Sequence, residues 1–86
     1  ENFDLIIIDI FKDTEMPEFL FQESFITNCK QLLNKKGYIL FNTMHLNKSN
    51  ISKTEAYLSH FDLNLYETKV LKNIEKYNDV VLIKSI

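Results

Sequence analysis

The sequence sets Leu5, Ile6, Ile7 and Ile8 in direct succession between Asp4 and Asp9. β-Branched residues are stiff at χ1 and pack well on a pleated surface, so the run favours a strand. A strand with one wet face alternates apolar and polar residues. This run does not, which predicts a central strand covered on both faces, as in the parallel sheets of α/β proteins. Asp9 closes it. In open α/β sheets ligands lie beyond the carboxyl ends of parallel strands, so a carboxylate there is the first candidate for chemistry. The alternative is that Asp9 binds backbone N–H groups of the following loop.

A polar loop with the only proline follows, and Pro17 can open a short helical turn through Leu20. Phe21, Phe25, Ile26, Cys29, Leu32 and Leu33 then form the apolar stripe of an amphipathic helix. Lys35, Lys36 and Gly37 are expected to end it, with the cations at the carbonyl end of the dipole and the only glycine permitting the turn. Residues 38–43 read as a second buried strand. Ser52 and Glu55 fit a capping box, with Ile51 and Ala56 at staple positions, which predicts a helix over residues 53–60. Residues 64–71 alternate, with Leu65, Glu67 and Lys69 against Tyr66, Thr68 and Val70, as a half-covered strand would. Residues 80–83 make a fourth strand. The order is β-α-β-α-β-β: an α/β unit whose first two strands are parallel and whose last two form an antiparallel hairpin.

The 86 residues, 45% hydrophobic, provide for one small core. A chain of this size hides only about 60–65% of the surface of its unfolded form, so a partner that covers more is expected to matter. Ten lysines, no arginine and a formal charge of −2 argue against nucleic acid as a ligand. A lone cysteine, Cys29, cannot form an internal disulfide and points to a reducing compartment, the cytoplasm. No apolar run approaches the roughly 20 residues of a membrane span. The first strand begins close to Glu1 with no preceding cap, which leads us to expect a piece of a longer domain.

"FDLIIIDIF", "ESFITNCKQLLNKKGYIL" and "NDVVLIKS" together resemble the C-terminal half of spermidine-synthase-like proteins, which share the class I S-adenosylmethionine-dependent methyltransferase fold. The likeness covers nearly the whole chain. It implies that these strands are the fourth to seventh of a Rossmann-like sheet, with the seventh antiparallel between the fifth and sixth. It implies transfer of a methyl or aminopropyl group from S-adenosylmethionine or its decarboxylated form to a small-molecule substrate. The family's Gly-rich loop and ribose-binding acid precede this half, so 86 residues with one glycine are expected to be inactive alone and to hold no cofactor.

By the same resemblance Asp9 faces the substrate, orienting and deprotonating an attacking amine, and Asp13 is the second catalytic candidate. Polyamine-synthesising members space two acids by three residues; Asp9 and Asp13 stand four apart, so methyl and aminopropyl transfer both stay open. His45, beyond the second strand, is a candidate substrate contact or base, against the commoner solvent-facing histidine. His60 is expected to meet a helix dipole, Cys29 to pack as a small hydrophobe, and Tyr57, Tyr66 and Tyr77 to be half-buried. No metal site is expected: a calcium loop needs a central glycine, and oxygen ligands where Phe11 and Lys12 stand. The alternative function is a non-catalytic module that self-associates through the strand edge from Phe3 to Asp9.

Overall fold

A computed structural model describes residues 2–10, 16–44, 47–75 and 77–86, with residues 73–75 by backbone alone. Asp13 and His45 lie outside the described residues. The elements are β1 (Phe3–Ile8), a 3₁₀ turn (Glu18–Phe21), α1 (Glu23–Leu32), β2 (Leu33–Met44), α2 (Lys48–Leu58), β3 (Tyr66–Glu75) and β4 (Asn78–Ser85).

The four strands form one sheet in the order β1-β2-β4-β3. β1 and β2 are parallel, with Ile6 opposite Ile39 and Ile8 opposite Phe41. β4 runs antiparallel to both of its neighbours, placing Val81 between Phe41 and Val70. The last strand is therefore inserted between the second and third, as the sequence resemblance implies for the seventh strand of the sheet.

Period-two alternation divides the sheet into two faces. Ile8, Ile39, Phe41, Val81 and Ile83 point to one side and are buried with Leu20, Ile26, Cys29, Tyr57 and Phe61 in a single core. The 3₁₀ turn and both helices supply those last five residues or lead directly into them, so this face is the covered one. Its aromatic centre packs edge to face, with Phe41 and Tyr57 centroids 4.7 Å apart. Lys30 reaches from α1 to donate to the His60 carbonyl, where the chain leaves α2, and lies over the Phe61 ring at 4.9 Å. The lysine ammonium thus meets the backbone just past the carbonyl end of α2.

On the other face Phe3, Leu5 and Ile7 are 48, 50 and 64% exposed. Among the described residues β1 has a neighbour on one side only and no helix above this face, which corrects the expectation of a central strand buried on both sides. The apolar run reports what a strand of this kind is built to be covered by; it does not say which segment covers it.

Three local expectations also change. The stripe from Phe21 to Leu33 begins before α1 and ends in β2: Phe21 belongs to the 3₁₀ turn that follows Pro17, and Leu33 is the first residue of the strand. The residue with left-handed backbone is Lys36, at φ 65°, and not Gly37. Gly37 is needed for space: a Cβ there would stand 2.9 Å from the Asn34 carbonyl oxygen and 3.1 Å from that of Asp4. Finally, α2 begins at Lys48, capped by Asn47, whose side chain accepts from the Asn50 N–H at 2.9 Å. Ser52 lies inside the helix, so the box of Ser52 and Glu55 is not its start. A Ser followed three residues later by Glu also arises inside helices, and an Asn cap satisfies the same orphan N–H groups.

The alternation of the third strand is as expected. Tyr66, Thr68 and Val70 are half-buried, whereas Glu67 and Lys69 are exposed. Both hairpin strands are longer than expected, closing the polar connection to a turn around Tyr77.

Candidate functional site

The carboxyl ends of β1 and β2 meet at one edge, and Asp9 follows β1 there, exposed to solvent. Asn42 lies on β2, one step beyond the pairing of Ile8 with Phe41, and donates from Nδ2 to Asp9 Oδ1 at 3.1 Å. Asn78, at the start of β4, donates to Asn42 Oδ1 at 3.3 Å and makes a longer contact of 3.4 Å to the Thr43 carbonyl. The residue just past β1 and one residue each from β2 and β4 thus bring three polar side chains into a single row. The row stands on the open face, since Asn42 alternates with the buried Phe41 and Thr43.

Behind it, on the covered side, the edge is closed by packing. Thr43 is fully buried and its hydroxyl donates to the Asp79 carbonyl at 3.3 Å. The Asp79 carboxylate is itself buried, with Lys72 Nζ 3.7 Å away. A small cleft lined by Met44, Ile51, Thr54, Leu58, Val70 and Asp79 lies between α2 and the sheet. A wider depression on the open face, lined by Tyr38, Glu67, Lys69, Leu82 and Lys84, lies toward the amino end of β2, away from Asp9.

Of the residues proposed from sequence, Asp9 alone can be placed at this edge. Cys29 is buried on α1 and burial pushes its thiol up, so it is a packing residue with little thiolate to offer. Tyr57 is wholly buried, more than expected, with its hydroxyl raised by desolvation and by the neighbouring Cys29. Among the described residues no group of three His, Cys, Asp or Glu side chains is arranged to hold a metal. Asn42 and Asn78 were not legible in the sequence: they are 33 and 69 positions from Asp9, and nothing short of strand order brings them beside it.

A solved structure described as "putative rRNA-methylase from Clostridium thermocellum" is similar to this chain at a TM-score of 0.62 and 14% identity. The likeness covers 95% of this chain and 49% of that one. This chain has a methyltransferase-like fold. Within that fold it is a partial, Rossmann-like sheet, and it spans about half the length of the structure it resembles. No protein-family model and no curated protein matches the sequence. No helix among the described residues is long and apolar enough to cross a membrane.

The methyltransferase-like fold raises the question of a nucleotide cofactor. A cradle for one needs backbone N–H groups that approach without side chains in the way. The only glycine, Gly37, is packed against Leu33, Asn34 and Asp4 at the opposite end of β2 from Asn42. The described residues therefore do not form such a cradle.

Proposed function

We propose that this chain is the acceptor-side, C-terminal half of a spermidine-synthase-like, S-adenosylmethionine-dependent transferase, moving a methyl or aminopropyl group to a small-molecule amine. The observation that supports this most is the position of Asp9: a carboxylate beyond the carboxyl end of a parallel strand, held by Asn42 in a methyltransferase-like sheet. Asp9 would accept a hydrogen bond from the acceptor's N–H, turn the nitrogen lone pair toward the reacting carbon and take the proton, while the C–N bond forms and the carbon's bond to the donor's sulfonium sulfur breaks to release a neutral thioether. Asp13 and His45 remain its proposed companions from sequence. S-adenosylmethionine or its decarboxylated form is held by residues outside this chain, in the cytoplasm, and the 86 residues alone do not turn over.

In the longer protein, Asp9→Asn is expected to lower transfer on the order of 10²–10⁴-fold, the usual contribution of a positioned base. Full activity of that variant with both methyl and aminopropyl donors would remove Asp9 from the mechanism. Calorimetry of the 86-residue chain against each donor should show no binding; measurable heat with a defined stoichiometry would overturn the division of labour.

The exposure of Phe3, Leu5 and Ile7 on an edge strand favours a second reading, that the chain associates with itself through the edge from Phe3 to Asp9 without catalysis. Sedimentation equilibrium should then show a dimer or larger species that Ile7→Lys dissociates. A monomer at high concentration would exclude it.

A further inference from the structure

The row of Asp9, Asn42 and Asn78 has a fixed direction. A carboxylate only accepts, so the group that Asn42 turns to Asp9 is its NH₂, and its carbonyl oxygen is left facing Asn78, which donates to it. We infer that Asn42 is a positioning residue, orienting the Asp9 carboxylate for a ligand, and that Asn78 fixes Asn42 in turn. This rests on the reading of Asp9 as the group that orients and deprotonates the acceptor.

Asp9 Oδ1 is engaged by Asn42, while Oδ2 has no partner among the described residues and remains to accept from a ligand N–H. An exposed aspartate just past a strand end otherwise samples several rotamers, each pointing its oxygens elsewhere. One donor from the neighbouring strand selects among them before the ligand arrives. The fold does not need the contact. β1 and β2 are already joined by a backbone ladder through Ile8 and Phe41, and a hydrogen bond between partly solvated side chains adds little to stability. Asn42 is also half-buried between two strands, so its amide is held more firmly than the carboxylate it orients.

The test is the side-chain amide spectrum of the ¹⁵N-labelled chain. As Asp9 is protonated in acid, the Asn42 NH₂ signals should move with the same midpoint as the Asp9 carboxyl carbon, and those of Asn78 should follow by a smaller amount. Asp9→Asn should remove the acid-linked movement from both while leaving the backbone spectrum of β2 and β4 in place. Asn42 signals that ignore both acid and Asp9→Asn would overturn the proposal. In the longer protein, Asn42→Leu should lower kcat on the order of tenfold, the worth of one hydrogen bond to a charged group, with KM little changed. A rise in KM alone would make Asn42 a binding contact and also overturn it. If Asp9→Asn leaves transfer intact, the assignment of Asp9 as the acceptor's base has failed; the acid-linked amide signals still decide whether Asn42 orients the carboxylate.

Discussion

The two faces of the sheet carry similar side chains and live under different rules. On the covered face Ile39, Phe41, Val81 and Ile83 have no exposure at all, packed under the helices. On the open face Leu5, Ile7, Leu40 and Leu82 are as apolar, yet Ile7 remains 64% exposed. Composition therefore fixes that a strand seeks cover, and topology decides which side receives it from this chain. The open face is also graded: it is aliphatic on β1 and the middle of β2 and β4, then turns to Glu67 and Lys69 on β3. The polar row of Asp9, Asn42 and Asn78 stands at its rim.

That contrast can be broken most directly by truncation. Phe41→Ala opens a cavity beside Tyr57 and Phe21 and should cost about 3–5 kcal/mol, enough to leave a domain this small largely unfolded. Ile7→Ala should change stability by less than about 0.5 kcal/mol, because its side chain is mostly in water. Urea unfolding followed by circular dichroism gives both values; similar losses would mean that the open face is covered in solution.

Gly37→Ala sharpens the boundary between β1 and β2. Its Cβ meets two backbone oxygens that cannot rotate away, so a loss of about 1–3 kcal/mol is expected from thermal unfolding. A neutral result would show that residues 34–37 relax freely.

Tyr57 tests the covered face with the opposite sign. Its hydroxyl is buried without a hydrogen-bond partner among the described residues, so Tyr57→Phe should raise stability by about 1 kcal/mol. Both Tyr57 and Cys29 ionise less readily folded than unfolded. Their contribution is intact below the ordinary ionisation range of the unfolded groups and is lost as alkali passes upward through it, from about pH 9. Tyr57→Phe should remove the phenol's part of that alkaline loss, and a denaturation series against pH would show it.

A further pair of substitutions separates two candidate starts of α2. Asn47→Ala removes the observed cap and should cost about 1 kcal/mol, whereas Ser52→Ala, inside the helix, should cost nothing measurable or gain slightly. A reversed order would restore the box of Ser52 and Glu55.

Some of these features are written in the local sequence and others only in the fold. The alternation from Tyr66 to Val70 reports burial because each residue's neighbours in sequence sit on opposite faces, so pattern and environment are locally linked. The placement of Asp9 at a strand end follows from a run of four aliphatics and a single acid. The edge position of β1 is of another kind: Leu-Ile-Ile-Ile reads the same whether its cover belongs to this chain or not. Gly37 misleads because glycine serves both backbone freedom and close approach, and only the second applies here. Asn42 is invisible for a third reason, since its role depends on the register between β1 and β2 and on nothing within its own segment.

The insertion of β4 between β2 and β3 has a consequence for synthesis. Among the described residues β3 forms no ladder with β2 and pairs with β4 alone, which is made after it. On the ribosome β1, α1, β2 and α2 can assemble while β3 waits beside them with both edges bare. Residues 78–85 then join β3 to β2 in one step, through long-range contacts that slow the closure. A chain lacking residues 78–85 would keep all of the described helices and the β1–β2 ladder, but would leave β3 without the strand that pairs with it and with edges that another strand could capture first.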